Sequence, residues 1–577
     1  MSVLPAETSI PAMLSARIAA QGDAIILRKK RRGIWRAITW RELGADALAI
    51  AAALDASGLQ RHEVVACLSD INPECIAADL GVLAAGCITL AIDPNDNAEA
   101  VAHILSDSGA RLLFVENAQQ LDKVLPIRAL CPRLERIIIV DTKGLQEFDD
   151  ALCERLEAFL ARGNPQHAAG WEARSAQVRP GDVAVIGYTS GATGAPRGIA
   201  LSHRNIQFQV SNAAVLSGQS ARDERLAFLP LAYTNERILG LYLALYCGTI
   251  SNLVESTETV WDNLREVQPT VMLTVPHVWK RFRAQVLAGI AAATPLQRLA
   301  FNWAFRAGQQ GVAHRWLSRR IVLINVRRSL GLDRLRWAWV SSAPLDTELV
   351  RWFGALGVTL LDLYGLTESG GLAAAAQPQA GDLGTVGRPV SYGECRIADD
   401  GEILLRGSHV AELQCRDGWL HTGNLGQLQD GRLRIIGRRA DTITLSSGET
   451  VLPGALENAV RRSPYIDDAL VVGSGRPFLA CIILANAGAL ESWAHDKGLD
   501  FVNFSGLVRN NQIRALIGGE LAHSLADASG ATKPRTFRII EQRLEAGDPE
   551  LTRAMTLRRA YVCEKYAALI DELYQEQ

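Results

Sequence analysis

No stretch of this chain approaches the roughly 18 uninterrupted apolar residues that a membrane-spanning helix needs. The first residues also lack an apolar secretory core, because Glu7 and Pro11 interrupt them. The ten cysteines stand singly, none in Cys-x-x-Cys spacing, which argues against a disulfide frame or a zinc site. Cys67, Cys75 and Cys87 lie in apolar contexts and read as buried thiols of a reducing compartment, so cytoplasmic residence is expected. Net charge is nearly absent, at -2, so no electrostatic footprint for nucleic acid exists and at most peripheral membrane contact is anticipated. One local exception is the basic run Arg28-Lys29-Lys30-Arg31-Arg32, read as the solvated face of a hairpin. Lysine is scarce beside arginine, and there is no internal repeat or low-complexity tract.

What is present is a chain of 577 residues, more than one core usually supports, so two or more domains are expected. Its early part alternates between helix-like and strand-like segments. Helices are predicted over 45–59, 77–85 and 98–108, and strands over 63–68, 88–92 and 112–115. That rhythm implies βα units and largely parallel, helix-covered sheets. After Gly381 the texture changes to short strands over 402–405 and 432–436 separated by Asp-Gly turns, which suggests a small antiparallel subdomain.

The most informative segment is Tyr188-Thr189-Ser190-Gly191-Ala192-Thr193-Gly194-Ala195-Pro196-Arg197-Gly198. It follows an apolar run at 183–186 and precedes Ser202, which can cap a helix with an apolar face through Ile206, Val210 and Val215. A Gly- and hydroxyl-rich loop between strand and helix presents N–H and O–H donors to phosphate oxygens. Its spacing is not that of the P-loop NTPases. Two further segments follow. One is Tyr364-Gly365-Leu366-Thr367-Glu368-Ser369, after a core strand predicted over 358–363. The other is His421-Thr422-Gly423-Asn424-Leu425-Gly426, followed by Gly437-Arg438-Arg439-Ala440-Asp441.

Together, in this order, these segments resemble the signatures of the adenylate-forming superfamily of acyl-CoA synthetases, luciferases and adenylation domains. The runs Leu445-Ser446-Ser447-Gly448-Glu449, Val275-Pro276-His277-Val278-Trp279-Lys280 and Glu564-Lys565-Tyr566-Ala567 are similar to its long-chain fatty acyl-CoA synthetase branch. The resemblance implies an α/β fold with a large N-terminal domain, residues 1–437, of stacked, mostly parallel sheets plus a small β-barrel-like subdomain. A mobile α+β lid, residues 438–577, would follow. It implies ATP, Mg²⁺ and CoA as the small molecules handled, and a fatty acid as substrate. Thr189, Ser190, Gly191, Ala192, Thr193, Gly194 and Arg197 would meet the triphosphate, with Thr193 a catalytic donor. Thr367 would meet the α-phosphate and Glu368 would hold Mg²⁺. Tyr364 and Gly365 would face adenine, opposite Ser341, Ser342 and Ala343, and Asn424 and Arg438 would face ribose.

Four positions depart from the family pattern. Arg197 stands where lysine is usual and Ala192 where threonine is commoner. Asn424 replaces a ribose-binding aspartate; an amide offers one acceptor oxygen and donors the diol does not need. Thr556, in Ala554-Met555-Thr556-Leu557-Arg558-Arg559, replaces a lid lysine. Arg558, two residues on, would share its face in an extended segment and is the nearby cation that can substitute. Three readings stay open: a fatty acid–CoA ligase, a catalytically impaired protein acting through a partner, or an adenylating enzyme serving an acyl carrier protein or amine. Apolar residues at 226–246 and Trp279 further predict an elongated acyl tunnel with a gate-like tryptophan.

Overall fold

The protein is described here by a computed structural model, covering residues 8–164, 169–189, 196–309, 319–377, 382–526, 528, 530–545, 548–552 and 555–575. It is mixed α/β, a large N-terminal part followed by a smaller C-terminal one. The largest sheet has seven strands, ordered Cys153–Arg155, Arg136–Ile139, Leu112–Val115, Val64–Leu68, Ile88–Ile92, Val183–Tyr188 and Gly198–Ser202. All its pairings are parallel except the last, between Val183–Tyr188 and Gly198–Ser202. The central strands are buried on both faces, as helix-covered parallel strands should be. Helices start where a side chain can accept their orphan N–H groups: Asn72 before Pro73–Ala84, Asn97 before Ala98–Ser108, and Thr39 with Glu42 in a capping box before Trp40–Ala56.

A second sheet joins Val271–Thr274, Trp337–Val340 and Leu360–Tyr364 in parallel, then Ala374–Ala375 and Arg388–Pro389 antiparallel. A third sets Glu224–Ala227 and Ile250–Leu253 beside the hairpin Ile25–Arg31/Ile34–Thr39. The small antiparallel subdomain is four strands, Glu394–Ile397, Glu402–Arg406, Leu420–Gln429 and Arg432–Arg438. Beyond the turn Arg439–Asp441, the C-terminal part packs helices on the sheet of Ile466–Val472, Ala480–Ala485 and Thr536–Ile539. Lys280 Nζ crosses from the N-terminal part to donate to the Arg461 carbonyl at 3.1 Å. No helix among the described residues is long and apolar enough to cross a membrane.

Three local expectations need correction. The 189–197 loop does not join a strand to a helix; it joins two antiparallel strands, and the helix His203–Ser217 begins only after the second. Ser202 does cap that helix, and Ile206 and Val210 are buried, but Val215 is 81% exposed because its helix face leaves the core in the last turn. The basic run forms the predicted hairpin, yet it is paired rather than merely solvated. Lys30 bonds Glu266 at 2.6 Å, Arg28 bonds Glu224 at 3.0 Å, and Lys29 donates to the Val254 carbonyl at 2.6 Å.

Candidate functional site

Tyr364 ends a parallel strand whose neighbour, Trp337–Val340, leads into Ser341 and Ser342. Val340 is in register with Asp362, so both segments leave the sheet at carboxyl ends, side by side. That is where ligands bind in open α/β sheets. Ser341 is buried, Ser342 is exposed with a left-handed φ of 76°, a conformation unusual for a residue with a side chain, and Ala343 is half-buried. Asp362, a residue the sequence reading passed over, accepts hydrogen bonds from the Leu345 and Leu363 backbone and so ties the 341–345 segment to the Tyr364 strand. Burial raises its carboxyl to about 7, against the lowering effect of those bonds.

Across the site, the antiparallel subdomain brings Asn424, almost fully buried, against Tyr364. The Asn424 amide donates to the Tyr364 hydroxyl at 2.9 Å. The backbone N–H of Asn424 is held by Thr422 Oγ1 at 3.1 Å. Arg438, exposed at the end of its strand, is the register partner of Asn424. Burial pushes the Tyr364 phenol up to about 12, while hydrogen bonds to Thr422 and Asn424 and the nearby Arg438 charge oppose the rise. Tyr364, Asn424 and Arg438 therefore lie close together.

The strand that leads into the first signature reaches the same place. A Cβ on Gly187, just before the loop, would stand 3.0 Å from Thr367 Cγ2 and 3.2 Å from Thr234 Oγ1. Thr234 and Thr367 are themselves hydroxyl to hydroxyl at 3.2 Å. The loop is closed at its base by Thr189, whose N–H donates to the Arg197 carbonyl at 3.1 Å; Arg197 is exposed. Ser190, Gly191, Ala192, Thr193 and Gly194 lie outside the described residues. Gly365 is needed as glycine, since a Cβ there would meet the Gly371 carbonyl oxygen at 2.2 Å. Glu368 sits half-buried in the turn Thr367–Ser369, its carbonyl accepting from Ala411 at 2.7 Å. Gln209, unanticipated from sequence, pins this turn through bonds to the Ser369 and Leu372 carbonyls at 3.0 and 2.7 Å.

Beneath Thr234 runs a buried π-helical segment, Glu236–Tyr242, with two ion pairs. Glu236 pairs with Arg225, and Arg237 with Asp79. Arg237 also donates to Thr89 at 2.8 Å, and the Tyr242 hydroxyl to Asp79 at 2.6 Å. A void of only about 10 Å³, room for one water, is lined by Gly187, Leu231, Thr234, Arg237 and Ile238. Sequence alone offered no signal for the Asp79 and Thr89 contacts, because these partners are 148 to 163 residues apart.

The gate reading of Trp279 does not hold. The ring is wholly buried, packs at 4.9 Å from Phe353 and 5.3 Å from Phe282, and donates to Thr274 Oγ1 at 2.7 Å. It is a core residue with its one donor satisfied. Residues 239–246 are likewise buried core.

On the C-terminal part, Thr556 and Arg558 flank buried Leu557, which bridges to Leu551. The Thr556 hydroxyl lies 2.6 Å from that of Thr552. The Arg558 N–H donates to the Glu550 carbonyl at 2.7 Å, and its buried Nε has no hydrogen-bond partner among the described residues. No hydrogen bond among the described residues links Thr556 or Arg558 to Tyr364, Thr367 or Asn424. No cluster of three or more His, Cys, Asp or Glu that could hold a metal occurs among the described residues.

Residues 14–413 match the AMP-binding enzyme family and residues 440–577 its C-terminal domain. Among similar proteins, a putative fatty-acid–CoA ligase of Mycobacterium tuberculosis is 32% identical over 428 residues, covering 69% of this chain and 75% of the relative. A long-chain-fatty-acid–CoA ligase of Mycobacterium bovis is 29% identical, covering 96% and 95%. Of solved structures, the adenylation domain of a carboxylate reductase from Mycobacterium chelonae superposes with a TM-score of 0.77 at 19% identity, covering 98% of this chain and 91% of that one. An anthranilate CoA ligase in complex with anthranoyl-AMP gives 0.74 at 19%, covering 98% and 99%. At that identity the superpositions speak for the fold alone. With a family match across most of its length, the chain belongs to the AMP-binding enzyme family.

Proposed function

We propose that this protein activates a long-chain fatty acid with ATP and passes the acyl group to CoA. The observation that carries this reading is the meeting of four distant segments, through Gly187 and Thr234 against Thr367 and Asn424 against Tyr364. The names of the relatives supply the substrate class. A carboxylate oxygen attacks the α-phosphorus, the bond to the bridging oxygen breaks, and pyrophosphate leaves. A thiolate then attacks the acyl carbon and AMP leaves.

Each chain residue has a task in this scheme. Tyr364, with its hydroxyl tied to Asn424, offers a fixed ring to adenine, and Ser341, Ser342 and Ala343 form the opposite wall. Asn424 Oδ1 accepts from one ribose hydroxyl, and Arg438 lies beside it. Thr367 donates to the α-phosphate, and the 189–194 loop with Arg197 cradles the β- and γ-phosphates. Glu368, half-buried in the turn Thr367–Ser369, would supply one carboxylate to Mg²⁺. Mg²⁺ would neutralise phosphate charge that otherwise repels the acid. The lid begins at Arg438 and brings Arg558 to the role that the family pattern gives a lysine.

The test is isotope exchange between pyrophosphate and ATP with a panel of fatty acids, followed by CoA consumption. Exchange with long acids and matching CoA loss is the expected result. Exchange without CoA loss would point to a carrier protein or amine as acceptor. No exchange with any acid would favour the impaired-site reading, for which the neutral Asn424 and Thr556 speak.

A further inference from the structure

From Pro276 to Leu330 the sequence contains ten Lys and Arg and not one Asp or Glu, although the whole chain carries a charge of only -2. The helix Pro295–Gln309 in this segment buries Phe301 and Ala304 on one side. Its other side exposes Leu296 (78%), Leu299 (68%) and Trp303 (50%). Steps of three and four residues put these on one stripe, and Arg306, exposed, continues it. Leu287 and Ile321, on elements packed against this helix, are also exposed. Single exposed leucines mean little, but a clustered apolar stripe on a monomer marks a contact surface. Arg298 and Arg306 have no acidic partner among the described residues, and Arg281 stacks on Trp261 at 5.0 Å.

We propose that this face docks on an anionic lipid surface, with Leu296, Leu299 and Trp303 entering the headgroup boundary and Arg298 and Arg306 meeting lipid phosphates. An apolar stripe bearing tryptophan and leucine beside arginines is the composition of an interfacial helix, and each basic side chain adds attraction to an anionic surface. A second copy of the chain fits poorly, because a two-fold contact would set one acid-free cationic face against another. The inference needs no particular acyl substrate and is independent of the catalytic reading.

The full chain is sedimented with vesicles of phosphatidylcholine alone or mixed with phosphatidylglycerol. Partitioning at least tenfold stronger onto the anionic vesicles is expected, weakened by salt. Leu296→Ser/Leu299→Ser/Trp303→Ser should reduce it tenfold or more with an unchanged thermal unfolding midpoint, since these side chains are exposed. If that variant folds poorly, Arg298→Glu/Arg306→Glu should remove the anionic preference instead. Equal binding to both vesicles, no binding at all, or variants that bind like the parent would overturn the proposal. So would a dimer in vesicle-free solution that the triple variant dissociates.

Discussion

Changing Asn424 to Asp tests how the ribose side of the site works. In the present structure one amide hydrogen is spent on the Tyr364 hydroxyl at 2.9 Å, and Oδ1 is the one side-chain acceptor left for a diol. A carboxylate would keep the Tyr364 contact with its polarity reversed, the phenol now donating, and would accept from both ribose hydroxyls. Hydrogen bonds to a charged acceptor contribute about 1.5–3 kcal/mol against about 0.5–1.5 for neutral ones. A net gain of about 1.4 kcal/mol corresponds to a tenfold lower ATP KM. The ribose takes no part in bond making, so kcat should hold while KM falls. The buried carboxylate should cost the nucleotide-free protein on the order of 1 kcal/mol, regained as nucleotide binds. Tyr364→Phe should couple more strongly to Asp than to Asn at 424 in a double-mutant cycle, because the phenol then serves a charge. Steady-state kinetics with ATP varied, alongside thermal unfolding with and without AMP, read all of this. A KM within twofold of the parent in a stably folded Asn424→Asp variant would refute the reasoning.

Three further outcomes are expected. Arg558→Ala should abolish pyrophosphate exchange and Thr556→Lys should add little, because Arg558 fills the lysine's role; a rise of about 10²-fold in Thr556→Lys, the worth of one transition-state donor, would show that it does not. Asp79→Ala strands Arg237 in the core and should cost about 3–5 kcal/mol in urea unfolding. The double change with Arg237→Leu should recover most of that loss, and equal losses in the two variants would show that the ion pair was not the cause. Burial lowers the His203 imidazole to about 4. The unfolded residue protonates near pH 6.5, so stability should drain away as pH falls from 6.5 towards 4 and level off below that. His203→Gln should flatten this dependence by on the order of 3 kcal/mol, compared with the parent across that window.

Where local pattern decides structure, the sequence was legible. Strands 88–92 and 112–115 and helix 98–108 stand where alternation and capping put them, because an Asn cap and a left-handed Gly109 bound the helix and continuous apolar runs make buried strands. The helix predicted over 45–59 is Trp40–Ala56 instead, since the Thr39–Glu42 capping box starts it earlier. The local sequence at Trp279 does not separate its roles, because an apolar residue in the first turn of a helix looks alike whether it lines a tunnel or fills a core. Only its neighbours, Phe282, Phe353 and Thr274, separate the two.

For this protein, the amino-acid sequence alone determined the family and the chemical types at each signature, including the neutral residues at 424 and 556, because those are properties of side chains in order. Tertiary structure alone decided that Asn424 spends its amide on Tyr364, that Thr234 joins Thr367, and that Asp79 and Arg237 support them from below. It also decided which leucines of an acid-free stretch face outward. These are contacts between residues dozens to hundreds of positions apart, set by how sheets stack and helices pack, and no local pattern encodes them.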